Sequence, residues 1–317
     1  MTTVLVSGAS GYVGGRLISH FIAQNDISVV ALSRSEKSAC RIPQSEQVRN
    51  VIIDWDDAAQ VAEICRDVSV VVHLAVANEA AANNEPERSF ADAEIIIQNL
   101  LSGAIKNQVQ RFIGVSTSKV YGKNLINRVT EDTPPAPLNA YAVNHLNIEN
   151  KILERHRPDD MERTVFRLSN SLGAPANSSI PCWSLIANNF CQQAATERQI
   201  VLKSSGKDWR NFVAMHDVVE AIAMAATPSK GAFPEGVLNL GGPTSLPILE
   251  LAHLVAEQCD KVCGYRPPIK TGPGETDNPP ELVYEIRRLL DAGFTPANDI
   301  EGEISATLRL CQKLAEG

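Results

Sequence analysis

The first half of the chain alternates short apolar runs with longer segments in which apolar residues recur at helical spacing. The short runs consist mostly of Val, Ile and Leu, as in parallel strands that are buried on both faces. They predict strands at Thr3–Val6, Ser28–Leu32, Val51–Ile53, Val70–Leu74, Phe112–Ser116 and Thr164–Leu168. The longer segments predict helices at Tyr12–Gln24, Ala58–Cys65, Arg88–Lys106 and Ala140–Arg155. This alternation predicts an α/β fold, a Rossmann-like doubly wound parallel sheet with helices on both sides.

The pattern changes near Gly173, where Pro, Asn and Ser cluster up to Pro181. The later elements are predicted as a helix at Trp183–Ala195, a strand at Ile200–Lys203, a helix at Val218–Ala226 capped by Asp217, a strand at Val237–Leu240, and a helix capped by Ser245 that reaches about Cys263. The Pro- and Gly-rich segment Tyr265–Pro280 is interpreted as an ordered loop over a site. We expect residues 1–172 to form a dinucleotide-binding domain, to which elements near 204–240 return, and residues 173–317 to form mainly a smaller α/β substrate-binding domain.

Glycines follow the first predicted strand directly, at Gly8, Gly11 and Gly14. Gly8 permits a sharp turn, Gly11 lets the backbone approach a pyrophosphate, and Gly14 lets the next helix lie close to the strand. The first N–H groups of that helix then face the pyrophosphate. The position of the motif between a strand and a helix predicts a dinucleotide site. Its contacts are assigned to Gly8, Ser10, Gly11, Tyr12, Val13 and Gly14.

The second predicted strand carries information about the cofactor. NAD-binding folds place an acidic residue at its end, to hold the ribose 2′-hydroxyl. Ser33 takes that place here and Arg34 follows, which favours the 2′-phosphate of NADP over NAD. Asp54 is predicted either to accept a hydrogen bond from the adenine amino group or only to cap a turn. Further cofactor contacts are assigned to Trp55, Leu74, Ala75 and Val76.

Composition narrows the classes of partner. The net charge of −8 over 317 residues argues against a nucleic-acid groove. Because no apolar stretch reaches about 18 residues, we expect no membrane span. We expect a cytoplasmic protein, since no basic and apolar signal segment precedes the first strand. The seven cysteines are scattered, and Cys259 and Cys263 are interpreted as helix-packing residues, so no metal site is expected.

Several motifs occur in one order along the chain. They are Gly8-x-x-Gly11-x-x-Gly14, His73-Leu74-Ala75, Ser116 to Gly122, Tyr141 to His145, Arg167 to Gly173, Arg210 to Val213 with His216 to Val218, and Asn239 to Gly241. In combination they resemble the extended short-chain dehydrogenases/reductases of the nucleotide-sugar epimerase/dehydratase kind. The resemblance spans nearly the whole chain. It implies a dinucleotide-binding domain, a smaller nucleotide-sugar domain and hydride transfer at a sugar carbon.

The resemblance also implies roles for individual residues. Thr117 matches the hydroxyl that hydrogen-bonds the reacting oxygen, and Tyr141 matches the catalytic acid/base. Asn170 and Arg210 match residues that hold the substrate diphosphate, although Arg210 could instead pair with Asp208 or Asp217. Ser118 and Lys119 are assigned to the substrate, in the place where dehydratases carry a carboxylate, so a dehydratase is not expected.

His145 departs from the family motif Tyr-x-x-x-Lys, whose lysine anchors the nicotinamide ribose and lowers the tyrosine pKa. His145 could hydrogen-bond the ribose, supply a charge if its pKa is raised, or have no catalytic role. Loss of the lysine affects an epimerase, which needs a tyrosinate, more than a reductase, which needs a neutral tyrosine. A second departure is the absence of an arginine before Pro273-Gly274-Glu275, where Lys270 or Arg266 could substitute.

These observations predict an NADPH-dependent reductase of a nucleotide-linked 4-keto sugar, in the biosynthesis of surface polysaccharide or deoxysugars. A nucleotide-sugar 4-epimerase with retained NAD, a catalytically silent dinucleotide-binding protein and a reductase of a non-nucleotide ketone stay open as alternatives. Family members often pair the helix at Arg88–Lys106 with a second subunit, so a homodimer is expected. The apolar stripe of that helix, from Phe90 to Ala104, could equally be buried against the sheet.

Overall fold

The computed structural model describes residues 2–24, 26–154, 160–227, 231–243, 245–274 and 279–316. The strands are β1 Thr2–Ser7, β2 Ile27–Ser33, β3 Val48–Ile52, β4 Val70–His73, β5 Arg111–Thr117, β6 Arg128–Val129, β7 Glu162–Leu168, β8 Asn170–Leu172, β9 Ile200–Val201, β10 Trp209–Ala214, β11 Gly236–Leu240, β12 Ser245–Pro247, β13 Ile269–Lys270 and β14 Val283–Tyr284. The helices are α1 Tyr12–Ala23, α2 Glu36–Ala39, α3 Ala58–Ile64, α4 Glu79–Asn84, α5 Pro86–Lys106, α6 Ala140–Leu153, α7 Ile186–Glu197, α8 Met215–Ala226, α9 Ile248–Cys263, α10 Arg287–Asp291 and α11 Ile300–Glu316. A 3-10 segment, Ser118–Asn124, follows β5.

A parallel sheet of seven strands, in the order β11-β7-β5-β4-β1-β2-β3, forms the centre of the fold. Successive side chains of a strand point to opposite faces. Val4 and Val6 of β1 pack in one core cluster with residues of α1 and α8, whereas Leu5 packs in another with residues of α3, α5 and α6. Helices therefore cover both faces, and the predicted doubly wound α/β fold is confirmed.

A separate core cluster joins α7, α9 and α11 in the second half of the chain. It includes Phe190 of α7, Val255 of α9 and Leu308 of α11, all buried. By contrast α8 and β11, which lie in the same half of the sequence, pack on the large sheet. Among the described residues, no helix has the length and apolar character needed to cross a bilayer.

Two predicted helix caps are wrong. α8 begins at Met215, so Asp217 lies in its first turn, and its carboxylate accepts the main-chain N–H groups of Ala297 and Asn298 at 2.7 and 2.9 Å. Ser245 begins the short strand β12, and α9 starts only after Pro247. In both places the polar residue serves a contact that is distant in sequence, which a local capping pattern does not reveal.

Other boundaries shift by a few residues. The helix predicted at Trp183–Ala195 begins at Ile186, and the strand predicted at Ile200–Lys203 ends at Val201. α6 ends at Leu153, and Arg155 lies outside the described residues. The predicted loop Tyr265–Pro280 contains the strand β13, which pairs with β9, and its residues 275–278 lie outside the described part. On α5, Ala93, Ile97, Leu100 and Ala104 are buried in the core cluster on the sheet.

Candidate active site

The predicted site residues lie at the carboxyl edge of the large sheet. Because β5, β4, β1 and β2 are parallel neighbours, their ends at Thr117, His73, Ser7 and Ser33 meet at the same edge. In open parallel sheets, ligands bind outside this edge. The topology thus brings together segments that are far apart in the sequence.

The glycine loop after β1 is shaped for a close approach of phosphate. Gly8 has a φ of +71°, and the Gly11 N–H donates to Gly8 O at 2.9 Å. A Cβ at Gly14 would lie 2.4 Å from Gly8 O, so a larger residue would push α1 away from the loop. α1 begins at Tyr12 without a side-chain cap, which leaves N–H groups of its first turn available to an anion.

Of the side chains next to this loop, that of Ser10 is available to a ligand, whereas that of Tyr12 is hydrogen-bonded to the protein. The Ser10 hydroxyl forms no hydrogen bond within the described residues, so it is open to a phosphate oxygen. Tyr12 Oη instead donates to Gly173 O at 2.7 Å and accepts from Asn188 Nδ2 at 3.3 Å, and burial raises the pKa of this hydroxyl. Val13 packs on the core. Tyr12 and Val13 therefore offer a ligand their main-chain N–H groups.

The segment after β4 is tied to the glycine loop by Ser7. Ser7 Oγ lies 2.8 Å from His73 Nδ1 and accepts the N–H groups of Leu74 and Ala75 at 3.2 and 3.4 Å. The Val76 N–H donates to Leu74 O at 3.1 Å. The predicted contacts Leu74, Ala75 and Val76 therefore line the same cleft as the glycines, from the neighbouring strand.

Residues predicted for the adenosine end lie after β2 and β3. Ser33 is buried, whereas Arg34 is exposed and forms no ion pair in the described part of the chain. Asp54 Oδ1 accepts the N–H of Asp56 at 3.1 Å, which is the turn-capping alternative for Asp54. Trp55 is half-buried and packs against the core cluster of α3 and α5. Arg34 is thus a charged group in this region that is free, within the described residues, to bind a ligand.

Thr117 and Tyr141 come together as the motif spacing implies. Thr117 ends β5, and Tyr141 lies in the first turn of α6, which Asn139 caps by accepting the Ala142 N–H at 2.9 Å. Burial and the nearby Glu79 carboxylate raise the pKa of Tyr141 to about 12, against a smaller lowering by the neighbouring Thr117 side chain. The Tyr141 hydroxyl is therefore a neutral acid at physiological pH.

His145 lies one helical turn beyond Tyr141, and the two rings meet edge to face with centroids 4.5 Å apart. The imidazole is 5% exposed, and neither of its nitrogens has a hydrogen-bond partner within the described residues. Burial, together with nearby His73, lowers the pKa of His145 to about 3. Position 145 thus presents a neutral, unpaired imidazole, and the predicted alternative of a raised pKa is not found.

Ser118 and Lys119 continue from Thr117 into the 3-10 segment. Ser118 is buried, and the Lys119 ammonium forms an ion pair with Glu79 of α4. Lys119 Nζ lies 5.8 Å from the centroid of the Tyr141 ring. The Lys119 ammonium and the Glu79 carboxylate therefore lie at the entrance of the cleft, close to Tyr141.

Asn170 and Arg210 are brought together by the small sheet of β8, β10 and β12. Asn170 pairs with Phe212 in β10, two residues beyond Arg210. Asn170 Nδ2 donates to Asn211 O at 2.9 Å. Arg210 Nη1 donates to Trp209 O at 2.8 Å, and its Nη2 lies 3.8 Å from the Asp208 carboxylate, so the predicted Asp208 alternative is observed as a long, half-exposed pair.

Sequence reasoning missed the residues that support this arrangement. Glu149, two turns beyond Tyr141, accepts hydrogen bonds from Ser116 and from Arg167, and all three side chains are buried. Glu79 was also missed, because nothing in its local pattern distinguishes it from a solvated helix residue. Asn139 could have been found, since an asparagine before a helical pattern is a capping signal.

The cleft fits a nicotinamide dinucleotide. The glycine cradle leaves no room for a Cβ at Gly14 but leaves a helix N-terminus open to a pyrophosphate. Further along the edge, both His145 nitrogens are buried and unpaired, a costly state that ligand hydroxyl groups would relieve. The Thr117–Tyr141 pair lies beside His145 at the same edge.

Comparisons with known proteins agree with this geometry. A sequence model of the NAD dependent epimerase/dehydratase family matches residues 4–241. A relative described as a UDP-glucose 4-epimerase from Lactobacillus helveticus is 25% identical over 324 residues, covering 96% of this chain and 95% of the relative. The low-salt glycan biosynthesis protein Agl12 of Haloferax volcanii is 25% identical over 266 residues, covering 80% of this chain and 81% of that protein. A solved UDP-glucose 4-epimerase from Thermotoga maritima, with UDP-glucose, superposes with a TM-score of 0.81 at 20% identity over 99% of each chain.

Proposed function

This chain belongs to the NAD dependent epimerase/dehydratase family, and we propose that it is a reductase of nucleotide-linked keto sugars that uses NADPH. The observation that carries the proposal is the buried imidazole of His145, unpaired within the described residues, which lies against Tyr141 in the place where a cation would favour the tyrosinate. Burial and Glu79 raise the pKa of Tyr141 to about 12, and position 145 supplies a neutral imidazole in place of a cation. Such a tyrosine is suited to donate a proton and poorly suited to remove one from a sugar hydroxyl.

The proton chemistry follows from the two hydroxyl groups. Thr117 and Tyr141 both donate hydrogen bonds to the carbonyl oxygen of the substrate, which polarises the C=O bond. When bound, the reduced nicotinamide supplies the hydride for the carbonyl carbon. As negative charge develops on the oxygen, Tyr141 transfers its proton to it, and the product is an alcohol. The unpaired nitrogens of His145 would hold the nicotinamide ribose.

The cofactor preference is assigned to the end of β2. Ser33 carries no charge that would repel a 2′-phosphate, and Arg34 is exposed and free of ion pairs within the described residues. Lys37 follows on the adjacent short helix and adds positive charge. An arginine guanidinium binds phosphate in a bidentate manner, so this end of the cleft favours NADPH over NADH.

The substrate diphosphate is assigned to β8 and β10. The Asn170 amide and the Arg210 guanidinium lie on neighbouring strands. Arg210 Nη1 donates to the Trp209 carbonyl, and in the described part of the chain its ion pair is the long contact with Asp208. A diphosphate can displace so weak a partner at little cost. Full-length similarity to nucleotide-sugar enzymes supports this substrate class.

A 4-epimerase that retains NAD is the second candidate, because the relative from Lactobacillus helveticus matches nearly the whole chain. The experiment that separates the two follows cofactor absorbance with NADPH or NADH and a panel of UDP-, GDP-, CDP- and dTDP-linked 4-keto sugars, which carry either a methyl group or a carboxylate at C6. Oxidation of NADPH supports the reductase. Release of NAD on denaturation, together with epimerised UDP-glucose without added cofactor, contradicts it. NADPH binding without turnover of any sugar identifies a silent binding protein.

A further inference from the structure

Lys119 is held directly beside the proposed reaction centre. Thr117 Oγ1 accepts the main-chain N–H of Lys119 at 3.3 Å, so the threonine that meets the reacting oxygen also orients the lysine backbone. The ammonium group of Lys119 lies 5.8 Å from the centroid of the Tyr141 ring. The lysine therefore lies near Tyr141, whereas the groups assigned to the diphosphate lie on β8 and β10.

An anionic ligand can displace Glu79 from its ion pair with Lys119. Its partner Glu79 is also held by Asn139, whose Nδ2 donates to Glu79 Oε1 at 3.2 Å. The Lys119 and Glu79 side chains are 43% and 44% exposed, and an ion pair so open to water is weak. Within the described residues Lys119 has no other charged partner. An anion that enters the cleft can thus take the lysine from Glu79, while Asn139 keeps the carboxylate of Glu79 satisfied.

The chemistry of an ammonium group selects the ligand. A lysine is a compact point charge with three donors, and a carboxylate satisfies it better than the hydroxyls of a neutral sugar. A hexose carries such a group beside the ring when its exocyclic carbon is oxidised to a carboxylic acid. We propose that Lys119 is a specificity-determining residue that selects nucleotide-linked sugars with a carboxylate on the ring carbon next to the reacting one. The proposal rests on the proposed function, since it takes Thr117 and Tyr141 as the groups that meet the reacting oxygen.

Binding of matched sugar pairs tests this selection without turnover. Isothermal titration calorimetry at saturating NADP⁺, repeated with NAD⁺, compares UDP-glucuronic acid with UDP-glucose, dTDP-glucuronic acid with dTDP-glucose, and GDP-mannuronic acid with GDP-mannose. Within each pair the ligands differ only in the carboxylate. We expect the acid of at least one pair to bind about tenfold or more tightly than its neutral counterpart, as for a hydrogen-bonded charge.

Three variants assign the preference to the lysine. Lys119→Met is expected to abolish the preference, because binding of the acid weakens to the level of the neutral sugar. Glu79→Gln, which removes the competing anion, is expected to strengthen binding of the acid but not of the neutral sugar. The control is Lys123→Met, an exposed lysine of the same 3-10 segment, which is expected to retain the preference. If Lys119→Met does not fold, Lys119→Arg keeps the charge and is expected to keep the preference.

The outcomes separate the two proposals. Neutral and acidic sugars that bind equally, or a preference that survives in Lys119→Met, overturn the role of Lys119 while nucleotide-sugar binding stands. Failure of every nucleotide sugar to bind overturns the proposed function and the selection with it. A loss of thermal stability in Lys119→Met with an unchanged preference shows that the Glu79 pair serves only the fold.

Discussion

At the scale of single residues, the proton chemistry depends on what stands one helical turn beyond Tyr141. A lysine there would place a cation beside the phenol and favour its ionised form. The chain has His145 instead, whose pKa burial lowers to about 3, so the imidazole stays neutral throughout the physiological range. The tyrosine consequently loses an activating charge and keeps its proton.

The variant His145→Lys tests this account. A cation within a few ångströms lowers the pKa of a phenol by about 1–3 units, so Tyr141 is expected to titrate well below its value of about 12. The falling limb of the reductase pH profile, where the acid becomes deprotonated, should move to lower pH by the same amount. Difference absorbance of tyrosinate measures the titration directly, with Tyr141→Phe in the same background as the blank. A Tyr141 titration that stays in place would contradict the electrostatic role given to position 145.

Single residues also show how much of the site can be predicted from the sequence. The spacing from Thr117 to Tyr141 and the glycine motif predict groups that the fold does place at one edge. The sequence does not predict the roles of Glu79 and Glu149, because these roles depend on partners that are remote in sequence. Glu79 pairs with Lys119, and Glu149 pairs with Arg167. A local pattern records the identity of a side chain but not the neighbour that tertiary packing assigns to it.

At the scale of elements, apolar patterning predicts the strands of the large sheet and the helices that cover it. The apolar residues that form the pattern in each element are the ones buried in the core. The helix starts near Asp217 and Ser245 are wrong because capping signals are short and both polar side chains serve other contacts. Asp217 in particular joins α8 to the segment before α11 through two N–H groups. A polar side chain near a helix start thus serves a segment about 80 residues away.

Asp217→Asn is expected to lower the free energy of unfolding by about 1–3 kcal/mol. The amide has nearly the shape of the carboxylate, but its NH₂ group would face the N–H of Ala297 or Asn298, so one of the two hydrogen bonds to the buried position 217 is lost. Chemical denaturation followed by circular dichroism measures the loss. The matched control is Asp260→Asn on the exposed face of α9, for which no comparable change is expected. Equal stability of the two variants would show that the N–H groups find other acceptors.

At the scale of the whole molecule, the glycine helix α1 connects the large sheet to the second core cluster. Arg16 Nη1 and Nη2 bind the Glu303 carboxylate of α11 at 3.1 and 2.6 Å, and Glu303 also accepts the N–H of His216 at 3.0 Å. Tyr12 adds its hydrogen bond to Gly173. The helix predicted to receive the pyrophosphate is therefore fixed to the part of the chain predicted to hold the substrate.

The interface of the predicted homodimer is assigned to the outer surface of α5 and α6. The sheet already buries Ala93, Ile97 and Leu100, so the burial of this stripe needs no second subunit. A groove between the two helices remains, lined by Phe90, Ala91 and other residues of both helices.

We expect a dimer that buries this groove, and we expect Ala91→Arg to dissociate it, because the substitution places a charged side chain against an apolar partner surface. Light scattering coupled to size-exclusion chromatography measures the mass, for which the monomer is 34.3 kDa. The matched control is Gln98→Arg, an exposed position of α5 that does not line the groove. A wild-type protein that elutes as a monomer, or a dimer that survives Ala91→Arg, would show that this surface is not the interface. Since Tyr141 and His145 begin the same helix α6, loss of the dimer is also expected to weaken NADPH binding, which a parallel titration of the two variants measures.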